Sequence, residues 1–327
     1  MLQIVRNNNP LTVLILFIYA LVANWQVLFH PQMPVVPEGD FLFHIITGFM
    51  GVVLFQSAFG FTFLAVVMLA LQGIYLNAIA NRYKLFARPT YLTAFVYISL
   101  ASLYPAFGLF SQPLLVNWVL IMLISAILQL AQSQKPRKLI FNTGFAIGMA
   151  ALLSFPAIAY VLLFIIALSM LRNPNPGEWM VAILGCLTPI YFTAGLLFLF
   201  DVLHWLPGWV NIGFNLPRNI QHPVYLVGML TGVITLFAMG VYALQMQLGR
   251  VTMFVRRAWT VLSIGLIFTV LVALFTNFEI KMAWLVVIPI LALVTTNAYY
   301  AEKNKAFSNF AFYFMILLVV FCIMATG

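Results

Sequence analysis

An all-α bundle of membrane-crossing helices is the fold class this sequence predicts, and three observations carry the prediction. Of its 327 residues, 65% are hydrophobic and only 6% are charged, where a soluble globular domain carries roughly 25% charged residues. The mean hydropathy is +1.09. The apolar residues also come in unbroken runs without period-two alternation, and a span needs about 20 apolar residues as a helix or about 10 alternating ones as a strand. A soluble enzyme is thereby excluded, and so is intrinsic disorder, which needs low hydrophobicity. Cys186 and Cys322 lie far apart in apolar runs, so neither a disulfide framework nor a zinc motif is available. No polar stretch is long enough to fold by itself, the longest being His204–Pro223, so residues 1–327 read as one integral membrane domain.

The plain spans, in order, are Leu11–Phe29, Tyr91–Phe107, Leu114–Ala131, Trp179–Phe200, Val224–Gln245, Thr260–Thr276, Met282–Thr295 and Phe310–Cys322. The first follows the single Arg6 and mimics a signal peptide, but its cleavage pattern is poor, so it reads as a retained helix. Two further stretches are too long for one helix. Phe41–Ala80 has forty residues without a formal charge, and its expected break is at Gly60 within Ser57–Thr62. Leu139–Leu171 has thirty-three residues, and its break is expected at Ser154-Phe155-Pro156, because proline removes a backbone donor and pushes the preceding residue out of helical geometry. Broken helices at membrane depth must be shielded by protein. Gly144-x-x-x-Gly148 and Gly228-x-x-x-Gly232 predict close helix approach.

Charge sets the orientation. Short loops rich in Lys and Arg stay cytoplasmic. Arg82/Lys84/Arg88, Lys135/Arg137/Lys138, Arg172, Arg250/Arg256/Arg257 and Lys303/Lys305 fall on one face if Leu139–Leu171 makes an even number of crossings. That face then holds 12 of the 15 basic residues, with Arg218 and Lys281 opposite and Arg6 unassigned. The net charge of +9 is therefore a topology signal with affinity for anionic lipid headgroups, and no evidence for nucleic-acid binding. If Phe41–Ala80 crosses once, the N-terminus is inside and there are 11 crossings; if twice, it is outside and there are 12.

The polar residues that could do chemistry gather on the outer face in this topology. With the N-terminus inside they are His30, His44, His204, His222, Glu38, Asp40, Asp201, Arg218, Glu279 and Lys281. Asp40 with His44 (i,i+4) and Asp201 with His204 (i,i+3) have helical spacings that could share a proton or hold a divalent cation. The competing reading is that topology alone leaves these residues outside, and no zinc signature of the H-E-x-x-H type occurs. The metal question therefore stays open, and no pattern calls for a cofactor. Gly-rich phosphate loops, nucleophile elbows and paired intramembrane acids are absent, which counts against an ion-coupled transporter.

The loop Pro31–Asp40 resembles the first outer loop of membrane glycosyltransferases that use polyprenyl-phosphate sugars, with Glu38 and Asp40 as acidic residues near the membrane surface. That resemblance implies Glu38 or Asp40 as the base and Arg218 as the group neutralising a lipid phosphate. His44, Asp201, His204 and His222 would complete the substrate site. The competing reading is that Glu38 and Asp40 cap the following helix.

Leu171-Arg172, Glu178-Trp179, Gly185 and Leu187-Thr188-Pro189 resemble the central signature of an uncharacterised inner-membrane family from Bacteroidota. Asn9-Pro10, Gln72–Leu85 and the segment from Ile288-Pro289 to Asn297-Ala298-Tyr299-Tyr300 extend the likeness over nearly the whole chain. The resemblance implies the inner membrane of a diderm bacterium and no established activity. Two functions are expected on these grounds. One is envelope biogenesis, with a lipid-linked substrate, such as a glycan carrier, handled at the periplasmic face. The other is a non-catalytic membrane partner of a larger envelope or secretion complex.

Overall fold

The computed structural model describes residues 5–6, 9, 11–36, 40–130, 133, 136–172, 175–210, 212–213, 223–249, 251–276, 280–300 and 305–326. It is 85% helical, with no strand among the described residues. Six helices are long and apolar enough to cross a membrane: Ala58–Arg82, Gln112–Leu130, Pro176–Leu199, Val224–Leu248, Met253–Phe275 and Ala306–Ala325. The chain is a multi-pass helical membrane bundle.

The elements are α1 (Leu11–Ala23), α2 (Trp25–Phe29), α3 (Phe41–Val53), α4 (Ala58–Arg82), α5 (Leu92–Ala101), α6 (Gln112–Leu130), α7 (Pro136–Leu153) and α8 (Tyr160–Leu171). They continue as α9 (Pro176–Leu199), α10 (Leu206–Trp209), α11 (Pro223–Leu248), α12 (Met253–Phe275), α13 (Ile280–Ala283), α14 (Ile288–Thr296) and α15 (Lys305–Thr326). Every residue of the ten-residue α5 is buried, so this short helix is enclosed by its neighbours and needs no lipid-facing stripe.

One end of the bundle collects the basic loops, and hydrogen bonds fix which segments meet there. Arg6 donates to the Tyr299 carbonyl at 3.0 Å and to Ser308 Oγ at 2.6 Å. The Tyr91 amide donates to the Val5 carbonyl at 3.0 Å, and Tyr300 Oη to the Arg88 carbonyl at 3.1 Å. The N-terminal segment therefore lies with the Arg82–Arg88 loop. At the other end, Gln26 donates to the Ile323 carbonyl at 2.5 Å, joining the end of the first passage to the end of the last. Of the two topologies the sequence left open, these contacts fit the eleven-passage one.

The two long stretches resolve differently. Arg172 donates to the carbonyls of Leu130 and Ser133 at 3.2 and 2.9 Å, so Leu139–Leu171 leaves and returns to the same end, as an even number of crossings requires. Its turn is Ser154, extended at φ −150° and ψ 111°, followed by the 3₁₀ turn Phe155–Ala159. The break costs Ala151 its ordinary helical donor, and Trp209 Nε1 supplies a replacement at 2.7 Å. Shielding by protein thus satisfies the backbone at this depth.

In Phe41–Ala80 the break falls at Leu54–Ser57, earlier than Gly60. Ser57 caps α4, accepting from the Gly60 amide at 3.3 Å, so Gly60 sits inside the first helical turn. The preceding α3 ends in a Schellman motif: the Gln56 and Phe55 amides return to the Gly51 and Val52 carbonyls, with Phe55 and Gln56 left-handed at φ 52° and 51°. Both Phe43 and Phe61 pack on Phe110, with centroids 6.0 and 5.6 Å away. Thus α3 stays at the end opposite the basic loops, and only α4 makes the crossing.

Glycine sets the closest helix pair. A Cβ on Gly144 would lie 2.3 Å from the Ala182 carbonyl oxygen, one on Gly148 2.3 Å from that of Cys186, and one on Gly185 2.5 Å from that of Phe141. Rising numbers pair with rising numbers, so α7 and α9 run parallel in backbone contact. In the antiparallel α11–α15 pair Gly232 instead makes room for the Leu318 side chain, whose Cδ1 would lie 2.4 Å from an added Cβ.

Candidate functional site

Among the buried polar groups of the described residues two clusters stand out, and they differ in how many of their groups are satisfied. The first joins α4, α5 and α6. Gln72 Nε2 donates to the Leu114 carbonyl at 2.7 Å, Tyr97 Oη to Gln72 Oε1 at 2.7 Å, and Asn117 Nδ2 to the Leu285 carbonyl at 3.0 Å. Pro289 explains the last bond: it has no N–H for the carbonyl four residues back, and Asn117 fills that place. Within this trio only Asn117 Oδ1 lacks a partner. The cluster reads as a structural tie.

The second cluster is Asp40, Ser111 and Gln112, at the end away from the basic loops. The Phe43–Phe110–Phe61 stack holds the start of α3 against the start of α6. Asp40 occupies the N-cap position of α3, yet its side chain accepts no capping hydrogen bond. Burial raises its carboxyl above the ordinary carboxylate value, and the neighbouring Gln112 amide offsets part of that rise. Gln112 lies within influence of the carboxyl without completing a bond of ordinary geometry, since neither its Nε2 nor its Oε1 has a hydrogen-bond partner. Ser111 Oγ is buried and unpartnered as well, although it stands where a serine would cap α6. Buried polar groups are nearly always hydrogen-bonded. Three unpaired atoms on adjacent residues beside an acid therefore mark this spot out.

The other residues singled out from the sequence are not drawn into this cluster by any contact of the described side chains. Glu38, Arg218 and His222 lie outside the described residues. His44 is exposed; its amide donates to the Asp40 carbonyl at 3.0 Å, which keeps the helical spacing, but no Asp40–His44 ion pair forms among the described residues. Asp201 is exposed and has a backbone role: its φ of 58° makes it the left-handed residue of a Schellman motif closing α9, with the Val202 and Asp201 amides bonded to the Leu197 and Phe198 carbonyls. His204 is exposed on the 3₁₀ turn Leu203–Trp205 that follows. Phe41 packs with Leu197 and Trp209, so Asp40 is sequence-adjacent to a side chain that touches this region. No group of three His, Cys, Asp or Glu residues that could hold a metal occurs among the described residues.

Ser111 and Gln112 were not legible as site residues. Before an apolar run, Ser111-Gln112-Pro113 reads as an ordinary helix start, and nothing local reports that the serine hydroxyl is left unused. Comparison with known proteins adds no constraint: no protein-family model, curated protein or solved structure matches this chain.

Proposed function

We propose that the protein acts in envelope biogenesis, holding a lipid-linked substrate, such as a glycan carrier, at the membrane face opposite its basic loops. One observation carries the reading: Asp40 sits at a helix start without capping it and faces the unpaired amide of Gln112. A carboxyl raised by burial accepts a proton from a hydroxyl more readily than an ordinary one, and general-base work favours that shift. Asp40 is the base in this proposal, with Glu38 beside it in sequence. The topology read from the charges assigns Arg218, as the cation for a lipid phosphate, and His44, Asp201, His204 and His222 to the same face. By the positive-inside rule that face is periplasmic, and the Bacteroidota-like signature supports the inner membrane.

The test is in cells. Depletion of the protein is expected to make a lipid-linked intermediate accumulate or vanish in extracted membranes. Asp40→Asn and Arg218→Ala are expected to reproduce that change while each variant still inserts at normal level. If both are silent and the protein purifies from native membrane in a fixed ratio with another membrane protein, the function is that of a complex subunit.

A further inference from the structure

We propose that Asp40, Ser111 and Gln112 form a recognition site for a neutral polyhydroxylated headgroup, a sugar or polyol carried on a lipid. This deepens the function proposed above and rests on it. Gln112 is 1% exposed and Ser111 5%, so neither can turn to water for its missing bonds. The Phe110 ring, clamped between Phe43 and Phe61, denies the α6 start freedom to move away from α3. The unpaired groups are an amide NH₂, an amide carbonyl and a hydroxyl, with a carboxylate beside them. Vicinal hydroxyls, each both donor and acceptor, satisfy that set reciprocally. A phosphate does not: its acceptor-only oxygens would meet an acceptor-only carboxylate with no described cation beside it. The described lysine and arginine side chains all belong to the N-terminal segment and the basic loops gathered at the other end. The lipid tail would leave along the apolar outer stripe of α3, where Ile45, Phe49, Val52 and Val53 are exposed at helical spacing.

The experiment uses the full chain in phosphatidylethanolamine nanodiscs doped with monoglucosyl diacylglycerol or with phosphatidylglycerol. Native mass spectrometry reads lipid retention, and a thermal melt reads stability. Wild type is expected to retain the glycolipid about tenfold over phosphatidylglycerol, and Gln112→Leu to bring that ratio to about one, a change worth one good hydrogen-bonding pair. The apo melting temperature of Gln112→Leu is expected to hold, because removing two unpaired buried amide atoms offsets the loss of the amide's influence on the Asp40 carboxyl. Ser111→Ala, which removes one hydroxyl, is expected to lower retention partially and serves if the leucine variant misfolds. Equal retention of both lipids by wild type overturns the proposal. Unchanged retention in Gln112→Leu with a lowered melting temperature overturns it too, since that is the signature of a structural amide. Selective retention with no effect of depletion on cellular lipid-linked intermediates leaves the site standing and removes the envelope function instead.

Discussion

The two ends of the bundle differ in how their buried polar groups are grouped and closed. At the basic end the charged ties are closed: Arg6 reaches Tyr299 and Ser308, Arg172 reaches Leu130, Ser133 and the Glu178 carboxylate 3.7 Å away, and Tyr300 joins Thr90 and Arg88, while the unpartnered atoms there, Trp179 Nε1 and Asn77 Oδ1, are isolated ones. At the opposite end, Ser111 and Gln112 keep three buried polar atoms unpaired, Asp40 does not cap its own helix, and Phe55 and Gln56 are left-handed. Non-glycine residues in that conformation cost about 1–2 kcal/mol each. Adjacent unpaired polar atoms collect where structures bind something, while closed charged networks collect where they only need to hold; left-handed residues occur at both ends, Lys84 at the basic one, and do not tell them apart. The adjacent unpaired atoms single out the Asp40 end as the one equipped to bind.

The largest effect comes from prising apart the helix pair that joins the two ends. Gly148→Ala places a methyl 2.3 Å from a backbone oxygen of α9 and 2.5 Å from Pro189 Cγ, and neither can step aside. Loss of about 3 kcal/mol or outright failure to accumulate is expected, read as folded yield in detergent. A normally expressed, normally melting variant would show that α7 and α9 are not in backbone contact.

Next comes the closed end itself. Arg172→Ala leaves two carbonyls and Glu178 without their cation, and the Arg172 side chain is only 27% exposed. A loss on the order of 2 kcal/mol follows from hydrogen bonds to a charged group. Gln112→Leu at the open end should cost much less, since it removes two unpaired amide atoms and loses only their partial offset of the Asp40 carboxyl's burial. If the two substitutions lower the melting temperature equally, the contrast between the ends is wrong.

Much of the scaffold was readable in advance, and the reasons are local. Pro156 announces its break through its own missing donor and its effect on Phe155, and Arg82, Arg88 and Arg137 announce their side by charge. The break before α4 meets the expected Ser57–Thr62 segment only at Ser57, because Gly60 is merely permissive of a turn, whereas Ser57 actively caps. The site resisted for a different reason. Asp40 was visible as an acid, but Gln112 lies 72 positions later and acquires meaning only when Phe43 and Phe110 stack. Asp201 shows the converse: read as chemistry, it is placed where a helix end needs a left-handed residue.

A smaller effect separates strain from lipid anchoring. Lys84 and Phe55 each close a Schellman motif with φ near 50°, at opposite ends. Glycine at either site relieves the same backbone conflict, so Lys84→Gly is expected to gain about 0.5–1 kcal/mol. Phe55 is 92% exposed, and in a membrane-spanning bundle such a ring is expected to meet lipid. Withdrawing it loses about 1.5–3 kcal/mol of apolar partition, so Phe55→Gly is expected to destabilise the protein in bilayers. Equal gains at both positions would place Phe55 in water.

The smallest effect is a slope with pH. Asp40 has a higher pKa in the folded chain than the ordinary 3.8 of the unfolded one, because burial disfavours its charged form. Between those two values the folded state therefore binds more protons than the unfolded state, and stability falls as pH rises through the window. Above the folded value the full penalty of holding a desolvated carboxylate is present; below 3.8 it is gone. Asp40→Asn removes the titration, so its melting temperature should vary less with pH across the carboxylate range and exceed that of wild type at neutral pH. His44, the nearest imidazole in sequence, is exposed and unpaired with Asp40, so a His44→Gln variant should keep the wild-type slope in that window. A ligand that hydrogen-bonds the carboxylate should depress its pKa and flatten the slope in the same way. The same melt series run with and without glucosyl lipid then tests the site a second time. A slope that survives Asp40→Asn belongs to another acid and would detach Asp40 from the cluster.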